Sequence, residues 1–282
     1  MVNGGMVSVT SSSRFVSVIM AAYNVEKTIV DAVQSILGQT YKDFELIICD
    51  DASTDNTWYL LESLAGKDSR IRLIRQEKNR GSAVARNLCL LQAQGEYIAI
   101  MDADDLCSEN RLAVQVSFLE KHKEVAFVGL LGKVFHNSPD DCPKCYPYVA
   151  KPEANDFLMT LPFVHASLMF RSAAMGRGYP EERQVLRSED YAFLMERYAA
   201  GLRGENTTDA VYYIREDADT FRRRKYRYRL TEAGVKWKGF LALGLMPKGI
   251  PFAIKPLIVG LLPPKLLELL KGKYYGVRGK AV

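Results

Sequence analysis

Short apolar runs alternate with helix-like patterns along the first half of the chain. The runs are rich in β-branched residues and too short for most helices, so they predict buried strands. These predicted strands span 15–22, 44–49, 71–75, 97–101 and 125–131. Apolar residues recur at helical spacing between them, over 29–37, 54–65, 82–93 and 106–121. This alternation with short connections predicts an α/β fold, a mostly parallel sheet with helices on both faces.

The second half of the chain is less regular. Residues 136–155 are rich in Pro, Lys and Asp and are predicted to form a loop. A strand is predicted over 164–170, and a helix over 187–200. Three apolar runs follow, at 239–246, 250–254 and 257–262, and each is cut short by Pro or Lys. None approaches the run of about 18 apolar residues that a membrane-spanning helix needs.

Composition places the chain among ordinary globular proteins. Apolar residues make up 48% of its 282 residues and charged residues 25%, which excludes a disordered, collagen-like or wholly membrane-embedded chain. The five cysteines are scattered, and the polar opening at 1–14 lacks the pattern of a signal peptide. We therefore expect a reduced, cytoplasmic compartment.

The net charge of +5 hides a division between two parts of the chain. Residues 222–282 carry fifteen Lys and Arg against two acids, a net of +13, while the remainder carries a net of −8. Within 221–229, aromatic residues alternate with six basic ones. Nucleic acid and a phosphate-bearing acceptor both suit this pattern, but we expect an anionic membrane surface and no nucleic acid. Packing of the segment against the protein core is the alternative.

Acidic and polar residues follow three of the predicted strands. They are Tyr23-Asn24, Asp50-Asp51 and the run from Asp102 to Asp105. Ligands bind beyond the carboxyl ends of parallel strands, where these residues would converge. Asp102 and Asp104 would point to the same side of an extended segment, and such carboxylates suit Mn²⁺ or Mg²⁺ bound to phosphate. A solvated acidic turn that caps the next helix is the alternative.

The motifs around these positions resemble family 2 glycosyltransferases with the GT-A fold. The resemblance begins with 16–24 (VSVIMAAYN), 35–41 (SILGQTY) and 48–57 (ICDDASTDNT). It continues in order through NRG at 79–81, ARN at 85–87, GEYI at 95–98 and MDADD at 101–105. The match is dense from 14 to 131 and thins to single landmarks up to about 230. Several ordered motifs are far more specific than one short motif.

The resemblance implies a nucleotide-diphosphate sugar as donor, most often a UDP-sugar, and a divalent cation. By that likeness Ala21 and Tyr23 would line the base pocket, with Tyr23 against the uracil ring. Asp51 would accept a hydrogen bond from the base N3–H. Asp102 would reach the ribose hydroxyls, and Asp104 would hold the Mn²⁺ or Mg²⁺ that bridges the diphosphate.

The resemblance also implies a catalytic base at a helix start. Asp190 is assigned as that base, and Glu189 as an acid that positions or binds the acceptor; a helix-capping cluster is the alternative. Arg86 would neutralise the diphosphate or contact the base, or it is a surface arginine. His165 is either a core residue or faces the acceptor. The pair of cysteines in CPKC at 142–145 is interpreted as incidental, because a structural zinc needs four ligands and only His136 lies close by, with no second C-x-x-C.

These inferences define three regions and one principal function. We expect a polar extension at 1–14, a GT-A domain at 15–220 and a basic, helical, amphipathic C-terminal region at 221–282. Within the domain, 15–131 would bind the nucleotide-sugar and 132–220 would form the acceptor side. The expected activity is metal-dependent, inverting transfer of one sugar to a saccharide acceptor, lipid-linked, at the inner face of the cell membrane.

Two competing classes remain open. A sugar-phosphate nucleotidyltransferase would also bind nucleotide and metal, but it would carry an N-terminal Gly-rich phosphate loop with a basic residue, which residues 20–25 lack. A non-catalytic module that binds membranes or polyanions would explain the basic tail and leave the acidic strand ends unexplained. The chain also lacks the Gln-x-x-Arg-Trp motif of the family's processive members, which favours single additions.

Overall fold

A computed structural model of the protein describes residues 14–136, 138–142, 144–181, 188–216 and 226–261. The chain divides into two compact units. Unit 1 comprises residues 1–152, 162–178 and 202–216, and unit 2 comprises 153–161, 179–201 and 217–282. Of the sequence-based predictions, those for 1–13, 187, 221–225 and 262–282 lie outside the described residues.

Unit 1 is built on a mixed sheet. Its strands are β1 (Val16–Ala22), β2 (Phe44–Asp50), β3 (Ile71–Arg75), β4 (Tyr97–Asp102), β5 (Leu106–Cys107), β6 (Phe127–Phe135), β7 (Lys144–Cys145), β8 (Met169–Arg171) and β9 (Gly204–Arg215). The strand order is β3-β2-β1-β4-β8-β6-β9-β5, and β7 pairs with β6. The helices of this unit are α1 (Ile29–Leu37), α2 (Thr57–Ala65), α3 (Ser82–Gln92) and α4 (Arg111–Lys121). The α/β architecture predicted from the sequence is confirmed.

The parallel half of the sheet brings the predicted strand ends together. Strands β3, β2, β1 and β4 run parallel, and in their register Ala22 pairs with Asp50 and Ala21 with Asp102. The apolar residues of β1, β2 and β4 are buried on both faces, as expected for central parallel strands. The residues after these strands therefore share one edge of the sheet.

Two predicted helices begin later than expected. Helix α4 was predicted from Leu106 but starts at Arg111, because Leu106 and Cys107 pair antiparallel with Tyr213 and Tyr212 of β9. Helix α2 was predicted from residue 54 but starts at residue 57. The three preceding residues are instead held by hydrogen bonds to 24–26.

The prediction of a continuous strand over 164–170 is wrong. His165–Ser167 form a 3₁₀ turn, and β8 begins only at Met169. The Ser167 backbone N–H and hydroxyl both donate to the Val164 carbonyl, at 2.9 and 2.7 Å, which closes the turn. Strand β9 was not predicted at all, because its first residues are polar and its later apolar and aromatic residues fall on both faces of the strand.

Unit 2 contains a 3₁₀ helix at Ala154–Leu158, α5 (Glu189–Ala199), α6 (Arg227–Ala242) and α7 (Ile250–Leu261). Aromatic residues form much of its core, including Phe157, Phe193, Tyr198 and Phe240. Helix α7 runs through Pro256, which is buried, so the Lys and Pro that end an apolar run at 255 and 256 do not end the helix. Among the described helices, none combines the length and the apolar character needed to span a bilayer.

Candidate functional site

Hydrogen bonds tie together the loops that follow β1 and β2. The Asn24 backbone N–H donates to the Ser53 hydroxyl at 3.0 Å, and the Thr54 N–H donates to the Asn24 side-chain oxygen at 2.8 Å. Asn24 (φ 51°) and Ala52 (φ 61°) adopt the left-handed region to make these turns. Tyr23 is 45% exposed at the rim, available to a ligand. Ala21 lies in β1 between the ends of β2 and β4.

The Asp51 carboxylate is held by the loop before α3. It accepts hydrogen bonds from the Gln76 side chain (2.6 Å) and from the backbone N–H groups of Arg80 (2.8 Å) and Gly81 (2.7 Å). Gly81 has φ 95°, which favours glycine, and this conformation turns its N–H toward Asp51. Burial raises the pKa of Asp51, while the two backbone donors act in the opposite direction. The sequence did not indicate that these three donors hold the Asp51 carboxylate.

Three carboxylates gather at the end of β4. The ligand atoms of Asp102, Asp104 and Asp105 all lie within 4.8 Å of one another. Arg86, on α3, donates from Nη2 to Asp102 Oδ1 at 2.7 Å, and its side chain is buried. Sequence reasoning assigned Arg86 to the donor phosphates or base, and the structure pairs it with the acid assigned to the ribose. Its cation offsets part of the negative charge of the cluster.

Two residues of strand β9 contact this cluster, and neither was indicated by the sequence. The Tyr212 hydroxyl accepts a hydrogen bond from the Asp102 backbone N–H at 3.2 Å. The Arg215 N–H donates to Asp105 Oδ1 at 2.8 Å, and its guanidinium Nε donates to the Asp104 carbonyl at 2.8 Å. Over a hundred residues separate the partners, so no local pattern could have revealed these contacts.

The carboxylates of the cluster perturb one another. Desolvation, together with repulsion from Asp102, raises the pKa of Asp104 to about 6. Asp105 is 5% exposed, and burial with repulsion from Asp104 and Asp102 raises its pKa well above the ordinary value. Such crowding of like charges is unfavourable unless a cation is shared among them.

The donor set fits a hard divalent cation. Mn²⁺ and Mg²⁺ prefer oxygen ligands and commonly take one or two protein carboxylates together with phosphate oxygens. Asp104 is exposed and can turn to a ligand, whereas Asp105 is buried and accepts the Arg215 N–H. Asp104 is therefore the carboxylate that could most readily hold a cation, with Asp105 behind it. Among the described residues this is the one group of three or more acids, His or Cys that could hold a metal.

The two acids assigned to catalysis lie in unit 2. Glu189 and Asp190 occupy the first turn of α5, where acids interact favourably with the helix dipole. Beside them, the Lys236 ammonium lies 5.1 Å from the centre of the Tyr191 ring and 3.1 Å from Glu232 Oε1. Lys236 is buried on α6, and neither it nor this contact was anticipated from the sequence.

His165 and the two cysteines of the CPKC segment received no functional role from the sequence. His165 is buried in the 3₁₀ turn before β8. Cys145 is exposed on β7, and Cys142 donates from Sγ to the Pro139 carbonyl at 2.9 Å. None of the five cysteines forms a disulfide in the structure.

Comparison with solved structures shows the fold. S. aureus TarS (residues 1–349) in complex with UDP-GlcNAc superimposes with a TM-score of 0.69 at 21% identity, over 89% of this chain and 76% of that one. The mannosyltransferase PcManGT of Pyrobaculum calidifontis, solved with GDP-Man and Mn²⁺, gives 0.60 at 22% identity, over 93% and 80%. The chain thus has the GT-A fold.

Sequence comparison identifies the family. Residues 17–203 match the model of glycosyl transferase family 2, and the chain belongs to that family. It is 38% identical over 256 residues to EpsE of Bacillus subtilis (strain 168), covering 90% of this chain and 91% of that protein. It is 32% identical over 224 residues to WfaP of Escherichia coli, named as a UDP-Glc:α-D-GlcNAc-diphosphoundecaprenol β-1,3-glucosyltransferase, covering 78% and 84%. The resemblance found in the sequence is confirmed.

Proposed function

We propose that the protein transfers a single sugar from a UDP-sugar to a lipid-linked saccharide acceptor, with inversion at the anomeric carbon and with a divalent cation. The observation that carries this proposal is the carboxylate cluster at the end of β4, on the sheet edge that also carries Asp51. WfaP, which shares 32% identity, is named for UDP-glucose and for a diphosphoundecaprenol-linked acceptor. A UDP-sugar donor fits the roles assigned to the acids at this sheet edge, and a saccharide acceptor fits the general base assigned to Asp190.

The strand ends would bind the nucleoside. Tyr23 offers an exposed ring to the uracil face, next to the backbone of Ala21. Asp51 would accept from N3–H, a proton that uracil has and cytosine lacks. Each carboxylate oxygen accepts more than one hydrogen bond, so Asp51 keeps acceptor capacity beside its three present donors. Asp102, fixed by Arg86, would reach the ribose hydroxyls.

Departure of the nucleoside diphosphate builds negative charge on its phosphates. A cation held by Asp104 would stabilise that charge, which is the chemistry that Mn²⁺ or Mg²⁺ supplies at such sites. Arg86, a buried guanidinium beside Asp102, adds a fixed positive charge to the same region. These groups favour cleavage of the bond between sugar and phosphate.

Asp190 would act as the general base. The acceptor hydroxyl loses its proton as it attacks the anomeric carbon, and a carboxylate within hydrogen-bonding distance can take that proton. Glu189 would orient the acceptor. Attack opposite to the departing diphosphate, in one displacement, inverts the anomeric configuration.

A donor screen tests the proposal. The full chain is incubated with UDP-glucose, UDP-GlcNAc and GDP-mannose, with Mn²⁺ and with EDTA, and release of the nucleoside diphosphate is measured. We expect release from a UDP-sugar only with the metal. Asp104→Ala should abolish metal-dependent UDP binding measured by calorimetry, since its exposed carboxylate contributes to the ligand site and little to the core. Unchanged UDP affinity of this variant in Mn²⁺ would show that the metal assignment is wrong.

The same proposal includes the place of the protein in the cell. A lipid-linked acceptor lies in a membrane, so the enzyme would work on its cytoplasmic face as a peripheral protein. The basic region 221–282 would supply attraction to anionic lipid, at about 1 kcal/mol for each Lys or Arg near the surface.

A further inference from the structure

Large apolar side chains line one exposed face of α6. Tyr226 at its start, Leu230, Trp237 and Leu241 are between 43% and 64% exposed. At 3.6 residues per turn, these four positions fall within an arc of about 60°. The buried residues of the helix, Val235, Lys236 and Phe240, lie outside this arc. The exposed residues therefore form an apolar stripe with two at each end of the helix, separated by the small residues Ala233 and Gly234.

Helix α7 presents a second stripe of the same kind. Ile254, Ile258 and Leu261 are 39%, 58% and 74% exposed, and they too fall within an arc of about 60°. The buried residues of α7, Ala253 and Pro256, lie on another side.

The two helices pack closely. An added Cβ at Gly260 of α7 would come within 2.9–3.0 Å of the side chains of Arg229 and Tyr226. Large apolar residues on an antiparallel or crossing helix pair are normally turned inward, because each buried Leu or Ile contributes stability. Here seven of them keep a large exposed surface on these two helices, although one edge of the Tyr226 ring lies against Gly260.

Positive charge flanks both stripes. Arg227 and Lys238 follow the α6 stripe, Lys255 lies beside the α7 stripe, and all three are exposed. The sequence of residues 226–261 contains six basic residues and one acid, Glu232. That acid is paired within the protein, with Arg229 at 3.2 Å and with Lys236 at 3.1 Å. Each stripe thus has exposed basic side chains beside it.

We propose that the exposed apolar stripes of α6 and α7 insert into the interfacial region of an anionic lipid leaflet. Interfacial helices combine Trp and Leu on one face with Lys and Arg beside them, as these helices do. The long basic side chains can reach the phosphate headgroups while the apolar stripe is buried among acyl chains. A water-soluble anion would be attracted by the positive charge but would not bury the seven apolar side chains. The inference rests on the lipid-linked acceptor of the proposed function and assigns the residues that hold the enzyme beside it.

Trp237 provides a direct probe of insertion. The chain has two tryptophans, and the other, Trp58 of α2, lies against the Arg75 guanidinium at 4.8 Å. In a full-length Trp58→Phe protein, Trp237 is the single indole. Vesicles of equal parts phosphatidylglycerol and phosphatidylcholine should shift its emission to shorter wavelength, and brominated acyl chains should quench it. Unchanged emission in the presence of these vesicles would overturn the proposal.

Charged substitutions in the stripes test which residues insert. Burial of one Leu or Ile side chain changes an equilibrium constant about tenfold or more, so Leu241→Glu and Ile258→Glu should each weaken vesicle sedimentation by at least about tenfold. Leu91→Glu, at a leucine of α3 that is 82% exposed, is the matched control and should bind as the wild type does. Binding of Leu241→Glu equal to that of the control would refute the assignment, as would equal binding to pure phosphatidylcholine vesicles.

Two further measurements separate this inference from its alternatives. Without lipid, light scattering should detect no self-association of the chain through the stripes. If the chain self-associates and Leu241→Glu abolishes that association, the stripes are a contact between copies of the chain and the proposal is wrong. Release of UDP from the donor is measured on the same preparations. Normal release with no vesicle binding would refute membrane insertion alone, whereas vesicle binding with no release from any donor would refute the proposed function alone.

Discussion

Replacement of Tyr212 by Phe removes one hydroxyl from beneath the carboxylate cluster. The Tyr212 side chain is fully buried, and its oxygen accepts the Asp102 N–H at 3.2 Å. The same hydroxyl hydrogen-bonds the buried Asp105 carboxylate and acts to lower its pKa, against the larger effect of burial. The ring itself is retained in Phe, so the substitution removes these polar contacts and leaves packing nearly unchanged.

The magnitude follows from the groups left without partners. A buried polar group that loses its hydrogen bond costs about 1–3 kcal/mol. We therefore expect Tyr212→Phe to lower the free energy of unfolding by about 1–3 kcal/mol. Substitution of a residue that supports a metal ligand commonly lowers metal affinity about tenfold or more. Mn²⁺-dependent UDP affinity should therefore fall by a similar factor.

The assays are urea unfolding and calorimetric titration of UDP with Mn²⁺. Tyr213→Phe is the matched control, since Tyr213 is the next residue of β9, points to the opposite face of the strand and is only partly buried. This control should leave both quantities nearly unchanged. Equal unfolding free energies for the two variants would refute the structural reasoning, and equal UDP affinities would remove Tyr212 from the support of the cluster.

Three other outcomes are expected. Asp190→Asn should lower turnover by about 100-fold or more with donor affinity unchanged, because the amide cannot take the acceptor proton; wild-type turnover would place the base elsewhere. Gly95→Ala should lower the unfolding free energy by about 3 kcal/mol, since its Cβ would lie 2.5 Å from a backbone nitrogen, while Gly234→Ala, with no atom within 4 Å, should not destabilise. The Tyr97 hydroxyl, at 2.6 Å, together with Lys123 and Arg14, lowers the pKa of Glu120 from 4.5 to about 2, so the stability that these interactions contribute is present above pH about 4.5 and lost as pH falls toward 2. In a plot of unfolding free energy against pH, Tyr97→Phe should make the decrease toward acid pH shallower over that window. An unchanged decrease would contradict the assignment.

The parallel half of the sheet could be predicted because its signals are local. Short runs dominated by apolar residues form β1, β2 and β4, and all four strands of this half, β3 included, match the predicted ranges within a residue. A buried central strand needs apolar residues on both faces, so it is visible as an uninterrupted run. The acidic and polar residues at the strand ends were likewise visible in the sequence, since a parallel sheet places them at one edge.

The other half of the sheet was decided by distant pairings. Strand β9 carries polar and aromatic residues in a pattern that no periodicity rule favours, and it is a strand because β6 pairs with it along its length. Its pairing with Leu106 and Cys107 is also what delays the start of α4. Propensity alone favoured a helix at those two residues, and the tertiary hydrogen bonds outweighed it.

For the candidate site, the sequence by itself determined the chemistry of the side chains, and the family resemblance suggested their roles. Asp51, Asp102 and Asp104 were found as acids after strands. Only the tertiary structure showed what holds them: the loop N–H groups around Asp51, Arg86 against Asp102, and Tyr212 beneath it. The physical reason is that the apolar pattern fixes which segments are buried, whereas a hydrogen bond between residues more than a hundred positions apart depends on how the whole chain is folded.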